Sequence, residues 1–263
     1  MITLREIWIY PVKALCGLRV PEARVEERGL AGDRRFMVVD PNGRFVTQRE
    51  RPELARLVPR FEGDELVIEA PGGQLRVPRE GGSADPPLTT CIWGDEVPAR
   101  DAGEAAAAFL GDFLGAPHRL ARMPETTRRP ADPADARPGD LVAFQDGFPF
   151  LVASQSSLEW LNARLDAPVD MRRFRPNLVV EGEEAFAEDR WERLRIGEIV
   201  LHVAKACPRC PVVDVDPDRG ERGRGVLSKL AEHRTIDRAA RFGQNCVHDG
   251  TGTLREGDPV SLG

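Results

Sequence analysis

The sequence predicts a mainly β protein of α+β type, with short helices and two barrel-like or sandwich-like units. Three observations predict it. Short β-branched or aromatic runs separated by turn signals fill the first hundred residues, the same pattern returns after residue 176, and only three stretches have helical composition. Closely spaced strands without long intervening helices argue against a doubly wound parallel sheet.

In chain order, "LREIWIYPV" and "FMVVD" read as strands, and "PNG" as the turn into a further strand, "RFVTQ". "ELVIEA", the turn "PGG" and "QLRVP" give a second hairpin signal. "GEAAAAFLGDFLG" (103–115) predicts a helix with an apolar face and stop signals at Gly115 and Pro117. Residues 124–139, "PETTRRPADPADARPG", lack apolar periodicity and predict a linker or loop between one unit at 1–123 and another at 140–263. "DLVAFQ" and "FPFLVA" precede a helix at 154–165, where serines offer N-caps and Leu158, Leu161 and Leu165 share a face. "NLVVEG", "WERLRIG", "EIVLHVAKA", "PVVDVD" and "GDPVSLG" are strand-like, with one helix at 225–233.

A chain of 263 residues, 41% hydrophobic and 30% charged, is long enough for a sizeable core. Its net charge of −6 gives no global attraction to nucleic acid or to an acidic membrane surface. No apolar run approaches the roughly 20 residues of a membrane helix, and "MITLREIWIYPVK" lacks the basic-then-apolar order of a secretory signal. Cys16, Cys91, Cys207, Cys210 and Cys246 are odd in number and mostly far apart, which predicts no disulfide framework. A cytoplasmic, reducing setting is expected. Lysine occurs only as Lys13, Lys205 and Lys229, against 34 arginines, so a chain this biased toward arginine keeps a lysine either by chance or where a compact ammonium is wanted.

The stretch richest in chemistry is "VAKACPRCPVVDVDPDRG" (203–220). A structural zinc site wants four Cys or His ligands, and beyond Cys207 and Cys210 only Cys246 with His248 form a further pair. A dithiol redox centre wants its first Cys at a helix N-terminus, whereas "PVVDVD" reads as a strand entering a turn at Pro217. Both thiols could instead be small core hydrophobes, Cys207 more readily than Cys210. "DVDPD" fits a turn better than a carboxylate metal site, "GLAGD" lacks the order of a nucleotide-binding glycine loop, and the four histidines form no cluster.

Taken in order, "ACPRCPVVDVDPDRG", "GVLSKLAEHR", "FGQN" and "GDPV" resemble the carboxy-terminal half of a MOSC domain, the molybdenum cofactor sulfurase C-terminal domain. "YPVKAL", "GLAGDRRFMVVD", "GRFVTQRERPELA", "SQSSLEWLN" and "RRFRPNLVVEG" are similar to the MOSC N-terminal β-barrel domain and to the first part of the MOSC domain. The resemblance covers nearly the whole chain apart from 80–140 and lies closest to the stand-alone bacterial MOSC reductases and the amidoxime-reducing component of mitochondria. It implies a MOSC N-terminal β-barrel domain packed on a MOSC β-barrel, with molybdenum cofactor (Mo-molybdopterin) between them.

Position by position, the resemblance implies Cys210 as the catalytic thiolate ligand of molybdenum. Soft sulfur suits that metal, and a neighbouring Arg209 favours the thiolate. Lys13 falls on the family's "YPVKS" lysine, with Ala14 where a Ser is common. Arg34, beside Arg35, matches a cofactor-contacting arginine, and Thr47 and Arg49 match the next block. Ser154 and Gln155 begin a helix whose free N–H groups suit a phosphate. Arg175 can fork onto phosphate oxygens, Asn177 completes "FRPN", and Asn245 stands where relatives often have Tyr. At family level the resemblance also brings the term pyridoxal phosphate binding.

The activity so implied is reduction of N-hydroxylated compounds, such as hydroxylamines or amidoximes, by oxygen-atom removal at a Cys-ligated molybdenum. With no four-Cys iron–sulfur pattern in the sequence, electrons are expected from a separate ferredoxin, flavodoxin or flavin reductase. Two other classes remain: a non-catalytic carrier of molybdenum cofactor or sulfur, and a zinc-binding interaction module built on Cys207 and Cys210.

Overall fold

A computed structural model describes residues 1–82 and 85–263. Seven strands close into a barrel in the order Phe150–Ser154, Leu178–Glu181, Ile2–Ile9, Pro259–Leu262, Arg193–Ile196, Ile199–Pro208 and Ala239–Asp249, which pairs back onto Phe150–Ser154. All neighbours are antiparallel except Phe150–Ser154 and Leu178–Glu181. The first strand of the chain therefore completes a barrel built otherwise from residues 150–262. Its sequence, ITLREIWI, buries Ile2 and Leu4 and then Ile7 and Ile9, a break in the two-residue period. A bulge between Leu4 and Glu6 absorbs the extra residue and keeps both pairs facing the core. Val152, Leu178, Leu194, Leu201 and Cys246 fill the same interior. Burial pushes the Cys246 thiol far above its ordinary pKa, so it is a core residue and not a reactive group.

A second unit pairs Pro87–Ile92, Asp95–Asp101, Arg119–Arg122, Phe36–Val39 and Val12–Lys13, flanked by a three-stranded meander at Val58–Glu62, Glu65–Ala70 and Gly73–Pro78. The expected first helix is α1 (Glu104–Leu114). It buries Ala106, Leu110 and Leu114 and stops where Gly115 adopts a left-handed conformation. Helix α2 (Gln155–Asn162) buries Leu158 and Leu161, with Leu165 packed on the same cluster beyond its end. Helix α3 (Val226–Arg234) starts where Asp214 Oδ1 accepts the Val226 and Leu227 N–H groups at 2.9 and 3.1 Å. Among the described residues, no helix is long and apolar enough to cross a membrane.

Two local expectations change. "RFVTQ" forms only single bridges at Arg44 and Phe45, because the Thr47 carbonyl accepts from Glu50 and Arg51 and turns the chain out of the sheet. "PVVDVD" is no strand at its start: Pro211–Asp214 is a 3-10 turn with Cys210 as its N-cap residue. Pro211 has no N–H to give a ladder and its fixed φ suits the first helical position, while Val213 is buried beside α3. Residues 124–139 include a short pairing of Arg129–Pro130 with Leu141–Val142 and carry the buried Arg129. Composition alone marks this segment as polar loop and says nothing of that burial.

Candidate functional site

A cleft of about 570 Å³ lies between the barrel and the second unit. It gathers Lys13, Ala14, Arg34, Thr47, Arg49, Arg175, Asn177, Arg209, Cys210 and Asn245, residues spread over 232 positions of sequence. Seven cationic side chains line it (Lys13, Arg34, Arg49, Arg129, Arg175, Lys205 and Arg209) against the carboxylates Asp95, Asp132 and Asp146. In a chain of net charge −6, this excess of positive charge makes the cleft a site for an anion.

The backbone at the cleft is unusual. Four of the seven described non-glycine residues with positive φ line it: Ala14, Arg34, Trp93 and Arg175, at 69°, 47°, 54° and 56°. Such conformations persist where surrounding packing enforces them, and they cluster at functional sites. The side chains of two of them pack on Tyr10, the chain's one tyrosine, 1% exposed. The Arg34 and Arg175 guanidiniums each lie 4.3 Å from its ring centroid. Arg34 Nη1 also donates to Asp33 (2.6 Å) and to Asn177 Oδ1 (3.1 Å), and Arg175 Nη1 donates to the Leu15 carbonyl (2.6 Å). Burial pushes the Arg175 pKa down to about 10, which still leaves it charged at neutral pH. Arg35 turns away to Glu125, so Arg34 is the cleft arginine of that pair.

Lys13 is buried, and its Nζ donates to the Phe144 carbonyl (2.7 Å) and to Asp146 Oδ1 (2.6 Å). Burial lowers its pKa, and Asp146 opposes that shift. Asp146 opens into the cleft with its side chain 71% exposed to solvent. Burial alone would raise its pKa; the Lys13 ammonium and the Trp93 indole N–H (3.1 Å) hold it well below the usual carboxylate range. Lys205 follows a bulge in Ile199–Pro208, and its Nζ binds Asp132 (2.8 Å) and Asp135 (2.7 Å), tying residues 132–135 to the cleft wall. Two of the three lysines thus line the cleft.

Not every expected residue is placed as the sequence implied. Ser154 and Gln155 do not line the cleft: Ser154 is fully buried, and Gln155 Nε2 bonds Glu159 at the helix surface. The first turn of α2 instead holds an internal carboxylate, Glu188, which accepts Ser157 Oγ at 2.6 Å. Burial raises the Glu188 pKa. Asn177 lines the cleft, but its amide is already engaged by Arg34, the Leu151 N–H and the Trp8 carbonyl, so it braces the site. Arg209 directs Nη1 to Cys207 Sγ at 3.0 Å and Nη2 to the Phe174 carbonyl, so its hydrogen bonds go to these two groups and not to Cys210. Arg209 lies just past the end of strand Ile199–Pro208, and Cys210 is the N-cap residue of the 3-10 turn.

The sequence did not single out Trp93, Arg129, Asp146 or Lys205. Lysine scarcity was the one signal available for Lys205. Among the described residues, no group of three or more His, Cys, Asp or Glu side chains could hold a metal, which leaves a four-ligand zinc centre at Cys207 and Cys210 without its other ligands.

The cationic cleft is lined by two soft sulfur donors, Cys207 and Cys210, of which Cys207 already accepts from Arg209 Nη1. Two cleft arginines, Arg129 and Arg209, have a buried Nε with no partner. Both features suit an anionic, sulfur-tolerant metal complex, so the residues present fit a molybdenum–pterin group.

Comparison with known proteins agrees with this picture. The family model "MOSC N-terminal beta barrel domain" matches residues 1–117 and the model "MOSC domain" matches residues 140–261. Mitochondrial amidoxime-reducing component 1 of Homo sapiens is 37% identical over 99% of this chain and 82% of that protein. Mitochondrial amidoxime reducing component 2 of Homo sapiens is 34% identical over 98% of this chain and 82% of that protein. With both family models matched in order along almost the whole chain, the protein belongs to the MOSC family, with a MOSC N-terminal β-barrel domain followed by a MOSC domain.

Proposed function

We propose that this protein is a molybdenum cofactor-dependent reductase of N-hydroxylated compounds, with Cys210 as the protein ligand of the metal. The observation that carries the reading is the cationic cleft lined by two free thiols, Cys207 bonded to Arg209 and Cys210 not, in a chain similar throughout to proteins named for amidoxime reduction. When bound, the cofactor supplies the two-electron chemistry at the N–O bond. The net reaction for a hydroxylamine is R–NHOH plus two electrons and two protons giving R–NH2 and water.

The chain's own residues bind and orient. Arg34 and Arg175, stacked on Tyr10, are pre-aimed donors for anionic oxygens, so little rotamer freedom is lost on binding. Lys13 and Arg129 add charge to the cleft wall, and Lys13 is fixed by Asp146. Asp132 and Asp135 hold Lys205 at the wall. Trp93 gives an exposed aromatic surface at the mouth, stacked against Arg49 at 4.6 Å. Both cleft lysines are engaged in ion pairs, and pyridoxal phosphate has no part in this reading. The cytoplasmic setting is carried with the proposal on cysteine usage alone.

The test is elemental analysis with oxidised-pterin fluorescence on wild type and Cys210→Ala from a host that makes the cofactor. Near-stoichiometric molybdenum and pterin in wild type, with molybdenum depleted in the variant, is the expected result. Zinc in the wild type, or neither metal nor pterin under conditions that load a control enzyme, overturns it. Stoichiometric release of cofactor to an apo-enzyme without reductase turnover would favour the carrier reading.

A further inference from the structure

Residues 216–241 carry seven basic side chains (Arg219, Arg222, Arg224, Lys229, Arg234, Arg238 and Arg241) against five acidic ones, of which Asp216 and Asp218 are already paired with Arg173 and Arg172, leaving Glu221, Glu232 and Asp237, in a chain whose overall charge is −6. Among the described residues, most arginines outside the cleft have a carboxylate within ion-pair distance. Arg219, Arg222, Arg224, Arg238 and Arg241 are among those that do not; the others, Arg56, Arg79, Arg100, Arg164, Arg193 and Arg195, are scattered along the chain, whereas these five fall within 23 residues. Unneutralised charge gathered in one region of an acidic protein calls for an outside partner of opposite sign.

This basic surface borders the cleft on two sides. On one side the loop 216–225 follows directly from the Cys210 turn. Val215 bridges Arg222, and Arg222 Nη2 donates to the carbonyl of the cleft residue Arg49. Gly220 packs so closely on residues 53 and 56 that a Cβ there would lie 2.8 Å from Arg56 Cγ, which places the exposed Arg56 beside the loop. On the other side, Thr235–Ile236 and Ala239–Ala240 form a hairpin whose turn residues, Asp237 and Arg238, both have positive φ. That hairpin joins the cysteine segment: Arg209 N–H donates to the Ala240 carbonyl, and Arg241 pairs with Pro208 and donates to the Ala206 carbonyl. At its tip Ile236 is 41% exposed, one apolar side chain among arginines.

We propose that loop 216–225 and hairpin 235–241 form the docking surface for an acidic electron-carrier protein of the ferredoxin type, which delivers electrons to the cleft from the Cys210 side. The proposal rests on the reductase reading for its purpose, but the surface exists without the cofactor. Charge complementarity steers the encounter, and the exposed Ile236 gives the complex an apolar anchor inside a polar rim. Each turnover consumes two electrons and two protons to convert R–NHOH to R–NH2 and water, so a one-electron carrier must dock, leave and be replaced. Weak, fast, salt-sensitive association through exposed arginines suits that exchange better than a large apolar interface.

The test uses a triple variant, Arg219→Glu/Arg224→Glu/Arg238→Glu, whose side chains are exposed and outside the cleft. Binding of a plant-type [2Fe–2S] ferredoxin to the full chain is measured by calorimetry at low and at physiological salt. Turnover of the loaded enzyme is then measured with that ferredoxin and, separately, with reduced methyl viologen, a small cation that needs no docking surface. The expected result is ferredoxin affinity at least about tenfold weaker at low salt, a flattened salt dependence, and viologen-driven turnover unchanged. Equal affinity and salt dependence in variant and wild type overturns the docking surface even if turnover is normal. Single-stranded DNA that binds the wild type more tightly than ferredoxin at equal salt also overturns it. Ferredoxin binding that the variant loses, in a wild type inactive with both donors, sinks the reductase reading and leaves the docking surface standing.

Discussion

Replacing Tyr10 tests how the cleft holds two like charges side by side. Its ring lies 4.3 Å from the guanidinium carbons of both Arg34 and Arg175, and its hydroxyl donates to the Pro176 carbonyl at 3.1 Å. Tyr10→Phe removes only the hydroxyl, at a cost of about 1 kcal/mol. Tyr10→Leu also removes both cation–π contacts, about 1–2 kcal/mol each in this partly desolvated setting. Together these losses come to about 3–5 kcal/mol at a site that is 1% exposed, before any cost of incomplete filling. Urea denaturation should therefore place the Leu variant roughly 2–4 kcal/mol below the Phe variant. Without the ring, Arg34 and Arg175 lose their fixed orientation, so pterin content of the Leu variant should fall while that of the Phe variant stays near wild type. If the two variants are equally stable, or if the Leu variant retains full pterin, the reasoning that the ring organises the arginines is refuted.

Asp146→Asn leaves the buried Lys13 ammonium with the Phe144 carbonyl and no carboxylate. Because Asp146 is largely open to solvent, the loss should be about 1–2 kcal/mol in chemical denaturation, less than for a fully buried pair. The native Asp146 pKa is depressed, so this contribution is present above pH about 4 and fades as pH falls; the wild-type advantage over Asn should shrink in acid. Glu188 behaves oppositely, since burial raises its folded-state pKa. Its stabilising contribution is complete below the unfolded value, near pH 4, and is lost as pH rises through the folded value, so Glu188→Gln should flatten the decline in stability from pH 4 upward. An unchanged profile in the variant would show that Glu188 does not titrate with unfolding. Lys205→Met cuts two ion pairs to Asp132 and Asp135. Amide exchange of residues 132–136 should quicken while global stability shifts by less than about 1 kcal/mol; uniform exchange across the chain would contradict a local tether.

Much of the barrel was legible because a two-residue period exposes one face at a time. Leu194 and Ile196, or Leu201 with its neighbour Ile199, declare their inward side without any tertiary information. The bulge at Leu4 and Glu6 is visible as a phase slip in ITLREIWI. "RFVTQ" and "PVVDVD" misled because β-branched residues favour strands locally, while Thr47, by accepting two backbone N–H groups, and Pro211, by lacking one, decide where the ladder ends.

The sequence by itself determined the fold class, the family blocks, and the cysteine, lysine and arginine positions that meet at the cleft. Tertiary structure decided which of them face it. Ser154 and Gln155 sit at a helix start, yet that first turn already serves Glu188. Arg209 is adjacent to Cys210 along the chain, yet its side chain bonds Cys207 two residues back. Asp146, Trp93, Arg129 and Lys205 carry no local signature, because their role comes from partners up to 133 residues away, such as Lys13 for Asp146. Sequence records local periodicity and residue chemistry; the direction of a side chain and the identity of its partner exist only once distant elements have packed.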